Sequence, residues 1–187
     1  MIEEGKKAPA FTLEGSDGKQ HSLKDYAGKT VILYFYPRDN TPGCTKEACG
    51  FRDLQPELEK LNAVVLGVSK DSLASHDKFV DQFGLPFVLL SDPDTKVMAE
   101  YGAYGEKMHY GKLIVGTTRT TTIIGPDGTV SKHWKKVPRR RITRGRCWNL
   151  LRSNKSIFHG EENDCGSCAG IAEAVGFAPF NLDCKGF

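Results

Sequence analysis

The chain has 187 residues, 39% of them apolar and 26% charged, as expected of a globular protein built around one sizeable core. It has no twenty-residue apolar run for a membrane-crossing helix, and its start, MIEEGKKAPAFTLEG, lacks the apolar stretch of a secretory leader. The net charge of +3 arises wholly after Pro138, because residues 1–138 carry 18 basic and 18 acidic side chains. The main body therefore has no net electrostatic footprint for nucleic acid. These features predict a cytoplasmic protein with neither a membrane nor a nucleic-acid partner. In that compartment, six cysteines point to redox chemistry or metal binding before structural disulfides.

In chain order, APAFTLEGSDGKQHSL alternates around the turn SDGK and predicts an N-terminal hairpin. TVILYFY is a continuous β-branched and aromatic run, expected of a strand buried on both faces. After PRDNTPG the period changes. Phe51, Leu54, Leu58 and Leu61 fall at helical spacing, so a helix is predicted from about Pro42 to about Leu61. Pro56 is expected to kink or break it. AVVLGVS is a second buried strand. SLASHDKFVDQFG is an amphipathic helix with Leu73, Phe79, Val80 and Phe83 inward, ended by Gly84. FVLLSD predicts a third strand, DTKVMAEYG a short helix, and TRTTTIIGPDGTVSKHWKK a hairpin around GPDG. The alternation of strands and helices gives an α/β layered fold.

The chemistry concentrates in YFYPRDNTPGCTKEACGF, residues 34–51. Cys44 falls in the first turn of the predicted helix, where unpaired N–H groups and the helix dipole favour a negative charge such as a thiolate. Pro42 suits the first helical position, and Gly43 allows close backbone approach beside the sulfur. Thr41, three residues earlier, can turn its hydroxyl towards the sulfur. Read alone, Cys44 is equally well a small buried hydrophobe. The flanking Thr, Pro and Gly tip the balance towards a reactive thiol.

Pro37 to Cys44, PRDNTPGC, matches the P-x-x-x-T-x-x-C signature of the peroxiredoxins, and YFYPRDNTPGCTKEACGFRD resembles their bacterioferritin-comigratory-protein (PrxQ) subfamily. GVSKDS, SDPD, YGAYGEK and TTRTTTIIGPDG follow in the same order, so the resemblance covers residues 3–138. It implies a thioredoxin-like fold of peroxiredoxin type, with a central mixed sheet flanked by helices and an N-terminal hairpin. It also implies thiol-dependent peroxidase activity on hydrogen peroxide and organic hydroperoxides, without a cofactor or metal. The resemblance carries Cys44 over as the attacking thiol, with Pro37, Thr41 and Arg119 as its supporting residues. Arg119 read alone is a solvated strand-end charge. In its family context it is a permanent cation whose planar fork can hold peroxide oxygens.

Cys49 is the expected resolving thiol. Five residues along an ideal helix separate the Cα atoms by about 8.6 Å, beyond the roughly 7 Å a disulfide spans. A Cys44–Cys49 bridge therefore requires the helix start to unwind. PrxQ-type enzymes with this spacing work in that way, and thioredoxin then reduces the bridge. The other reading of Cys49 is a packed core thiol. With both thiols in one chain, a monomer is expected.

After Pro138 the resemblance stops. The tail, residues 139–187, holds six Arg and four cysteines: Cys147, Cys165, Cys168 and Cys184. Back-translated with chosen synonymous codons and read from the third base, Arg139–Asn149 becomes PKDHPGKVLE, which is what the family places there. The tail thus reads as the terminal helix in a shifted frame, atypical and partly disordered. A zinc- or RNA-binding segment is the alternative, using Cys165-x-x-Cys168 with Cys184, Cys147 or His159, or the basic run RRRITRGR. A thioredoxin-type disulfide oxidoreductase is a further alternative, weakened by the lack of C-x-x-C at the helix start.

Overall fold

The computed structural model describes residues 2–109 and 111–137. The tail, with its proposed zinc ligands and shifted-frame helix, lies outside the described residues. Among the described residues, nine strands and three α-helices follow in the order β1 (Thr12–Gly15), β2 (Gln20–Ser22), β3 (Thr30–Phe35), α1 (Pro42–Lys60), β4 (Ala63–Ser69), α2 (Leu73–Phe83), β5 (Val88–Ser91), α3 (Lys96–Glu100), β6 (Tyr104–His109), β7 (Lys112–Thr117), β8 (Thr120–Ile124) and β9 (Val130–Lys135), with a short 3-10 turn at Leu23–Tyr26. Seven strands form one sheet in the order β2-β1-β5-β4-β3-β8-β9. It is mixed: β3, β4 and β5 run parallel, while β1 and β8 pair antiparallel to their inner neighbours.

β3 lies near the centre, and every one of its residues is buried. Its side chains alternate between two cores, as the pleat requires. Ile32 and Tyr34 face α1 and α2, packing with Ala48, Phe51, Leu58 and Phe79. Val31, Leu33 and Phe35 face the other side, packing with Met98 and Tyr101. Burying a side chain the size of Phe51 stabilises the fold by about 2–3 kcal/mol. In the row Tyr34–Gly67–Leu89, a Cβ on Gly67 would lie 2.7 Å from the Tyr34 hydroxyl and 2.6 Å from Leu89. Only glycine leaves room there for the tyrosine that runs beneath α1.

One expectation, the break at Pro56, needs correction, and one element has no counterpart in the sequence reading. Pro56 does not end α1, which continues through it to Lys60. The ring leaves the Arg52 carbonyl without its helical donor, but Phe51 and Leu58 on either side are anchored in the core. The ribbon β6–β7 was also not anticipated. Its turn is short and its strands carry Gly105 and Gly116, so the alternation is weak. Met108, Leu113 and Val115 on it are exposed, so no inward apolar face marks it in the sequence. Within α2, Phe79 is buried and Val80 and Phe83 pack on the core, Leu73 is half-buried, and Gly84 ends the helix in the left-handed region at φ 57°. No described helix is long and apolar enough to cross a membrane.

Candidate active site

The loop after β3 delivers the chain to α1, with Thr41 at the N-cap and Pro42 and Gly43 as the first two helical residues. Cys44 is therefore in the first turn, and it is 1% exposed. The Thr41 hydroxyl does not cap the helix. It lies 2.9 Å from Cys44 Sγ and 3.3 Å from the Arg38 carbonyl. A hydroxyl has one proton to donate, and the sulfur is the nearer acceptor. The hydroxyl is thus turned to the sulfur and not to the helix N–H groups that it could cap.

The second donor comes from 75 residues away. Arg119 lies between β7 and β8, its backbone carbonyl held by the Val137 N–H at 2.9 Å. Its Nη2 donates to Cys44 Sγ at 2.9 Å, and its Nη1 donates to Glu47 Oε2. One guanidinium thus bridges the sulfur and a carboxylate through two arms of its fork. Burial by itself weakens the Arg119 cation, but the charges of Glu47 and Cys44 outweigh it and raise its pKa above the ordinary value.

Glu47 was not identified from sequence. Its side chain is fully buried, one helical turn beyond Cys44, and burial pushes its carboxyl up from 4.5 to about 7 despite Arg119. Its Oε1 has no hydrogen-bond partner among the described residues. The i, i+3 spacing from Cys44 was the available signal, because it puts both groups on one helix face.

Cys44 and Cys49 are both free thiols, and α1 is continuous between them. Cys49 is half-buried, and burial pushes its thiol up. Pro37 is half-buried at the start of the same loop. The structure thus links Thr41, Cys44, Arg119 and Glu47 in one chain of contacts, with Cys49 further along the helix.

Residues 4–133 match the AhpC/TSA family. A bcp protein of Coxiella burnetii is 53% identical over 136 residues, spanning 73% of this chain and 90% of the relative. Peroxiredoxin Bcp of Bacillus subtilis is 45% identical over 136 residues, spanning 73% of this chain and 87% of the relative. The chain belongs to the Bcp/PrxQ peroxiredoxins. Solved structures agree. The bacterioferritin comigratory protein of Xanthomonas campestris, studied for its alkyl peroxide reduction through trapped intermediate and ligand complexes, superposes with a TM-score of 0.70. It is 38% identical, over 78% of this peroxiredoxin and 90% of the Xanthomonas chain. A cysteine-to-serine variant of Xylella fastidiosa PrxQ gives a TM-score of 0.74 at 34% identity, over 83% and 97% of the two chains. The fold is thioredoxin-like, and this peroxiredoxin is a thiol-dependent peroxidase, an oxidoreductase that consumes peroxide and is recycled by a dithiol reductant such as thioredoxin.

Proposed function

We propose that Cys44 is the attacking thiol of this peroxidase, acting on hydrogen peroxide and organic hydroperoxides. The observation that carries this reading is the pair of 2.9 Å contacts that Thr41 and Arg119 make to the Cys44 sulfur. The thiolate attacks one peroxide oxygen and the O–O bond breaks. The other oxygen departs with the bonding electrons, takes up a proton and leaves as water or an alcohol. Cys44 becomes a sulfenic acid. Arg119 stabilises the charge that grows on the departing oxygen, and Thr41 holds the sulfur and the oxygen it attacks. Pro37 shields the site from water without adding an N–H.

In this reading Cys49 resolves the sulfenic acid. Its thiol displaces hydroxide, which leaves as water, and a Cys44–Cys49 disulfide forms within one chain. An intact α1 holds the two residues too far apart, so the first turns unwind during this step. Thiol–disulfide exchange with thioredoxin restores both thiols. The peroxidase domain is residues 1–138, it works as a monomer, and it belongs in the cytosol, where dithiol reductants are supplied. Residues 139–187 lie outside that domain.

The test is peroxide consumption by the full chain with thioredoxin and its reductase, compared with Cys44→Ser. A hydroxyl is far less ionised than a thiol in the same place, so turnover falls to background. Retention of more than a few per cent of activity would remove Cys44 from the role.

A further inference from the structure

Asp39 lies two residues before Thr41, in the loop that carries the chain from β3 to α1. Its side chain is 4% exposed. A carboxylate so buried is unfavourable unless its oxygens are paired. Here they are. The Tyr36 hydroxyl donates to Oδ1 at 2.7 Å. The Ser75 hydroxyl donates to Oδ2 at 2.7 Å, and His76 Nδ1 lies 2.8 Å from the same oxygen. The Asp39 N–H donates to Asp71 Oδ2 at 2.7 Å. Burial opposes the Asp39 charge, but the bonds from His76 and Tyr36 outweigh it and hold the carboxyl below its ordinary range.

Ser75 and His76 belong to the first turns of α2, and His76 is fully buried. Its Nε2 lies 3.3 Å from the Leu90 carbonyl, on β5. The next loop residue, Asn40, has φ 51°, and its amide donates to Gln82 of α2 at 3.1 Å. The loop is therefore fastened to α2 and the sheet. Downstream, Arg52 Nη1 donates to the Phe83 carbonyl at the far end of α2, at 2.8 Å. The stretch between these two attachments holds Cys44 and Cys49.

We propose that Asp39, clamped by Ser75 and His76, is a positioning residue of the peroxidase that holds Thr41 against the Cys44 sulfur and stays fastened while α1 unwinds. The proposal rests on the reading of Cys44 as the attacking thiol. It assigns α2 the part of a fixed frame, to which the loop remains attached in both the reduced and the disulfide form. Attack on peroxide then depends on the clamp, and disulfide formation does not.

The experiment mixes the full chain rapidly with hydrogen peroxide, quenches with acid and quantifies Cys44 thiol, sulfenic acid and disulfide by mass spectrometry. His76→Leu keeps the burial and removes the donor. His76→Asn returns an N–H near the place of Nδ1 but fills the space less well. The Leu variant is expected to lose Cys44 thiol about tenfold more slowly, since small misplacements of catalytic groups have large kinetic effects. The Asn variant should recover most of that rate, and neither should slow the conversion of sulfenic acid to disulfide. A packing role predicts the reverse order, because leucine suits an apolar interior better than an amide. The proposal is overturned if His76→Leu reacts within about twofold of wild type, or if His76→Asn is the slower of the two. Should His76→Leu not fold, Asp39→Asn and Ser75→Ala carry the same measurement, and equal slowing of both steps overturns the proposal. A wild-type chain that consumes peroxide equally well as Cys44→Ser overturns the reading of Cys44 and this proposal with it. Normal dependence on Cys44 with unaffected clamp variants overturns this proposal alone.

Discussion

Replacing Glu47 by Gln tests the electrostatics beneath the reacting sulfur. The Glu47 carboxyl is moved by burial from 4.5 to about 7. That displacement corresponds to about 3 kcal/mol of differential interaction between its two protonation states. Below about pH 4.5 the folded and unfolded chains both keep the proton, and Glu47 adds no pH dependence. Between about 4.5 and 7 the unfolded chain releases a proton that the folded chain retains, so stability falls as pH rises. Above about 7 the loss is complete. Gln copies the shape of the protonated acid and leaves Arg119 an amide oxygen to donate to, but it does not titrate. Urea unfolding of both reduced chains, followed by far-ultraviolet circular dichroism from about pH 4.5 to about pH 8, isolates this group, because other titrations cancel in the difference. The stability difference should move in favour of Glu47→Gln by about 3 kcal/mol across that window. A difference that stays constant, or moves towards the wild type as pH rises, would refute the reasoning.

Arg119→Ala should slow the reaction of Cys44 with peroxide by about a hundred- to a thousandfold, the range for losing one preorganised donor, as measured by stopped-flow peroxide consumption. Arg119→Lys should recover only part of it, because an ammonium does not span Cys44 and Glu47 as the fork does; equal rates in the Lys variant and wild type would contradict this. Cys49→Ser should consume its first peroxide at a wild-type rate, then stall as sulfenic acid and overoxidise, and non-reducing peptide mapping should lose the Cys44–Cys49 bridge. A dominant bridge from Cys44 to Cys147, Cys165, Cys168 or Cys184 in the wild type would instead make the tail functional. Sequencing the gene across residues 138–150 should reveal the displaced frame; an error-free reading of the present tail would sink that origin.

The legible and illegible parts of the molecule divide on physical grounds. β3 announces itself because a strand buried on both faces has no polar residue to confuse the pattern. Thr41 and Cys44 are readable together because three residues across a helix start leave them neighbours whatever the rest of the chain does. Arg119 is different. Its contact with Cys44 spans 75 positions, so only its place within a family pattern pointed to it. Glu47 and His76 were overlooked because charged and polar residues on amphipathic helices usually face solvent, and here both are turned into the protein. The penalty expected of Pro56 was a local propensity, and the anchoring of Phe51 and Leu58 overrode it.

The uninterrupted passage of α1 through Pro56 bears on how far a melting front can travel. In an ordinary helix each broken turn loosens the next, because every carbonyl is tied to the N–H four residues on. At Arg52 that tie is missing, since Pro56 has no N–H to give. Asp53 follows immediately, a residue type suited to cap a new helix start, and in a helix beginning there Pro56 sits in the first turn, where no N–H is needed. The sequence of the C-terminal half therefore suits a helix start at Asp53, should the first turns unwind. In the proposed unwinding, fraying that starts at Thr41 should halt at Arg52. Cys49 lies on the near side of that stop and would be released with Cys44, while Leu58, buried in the core, lies beyond it.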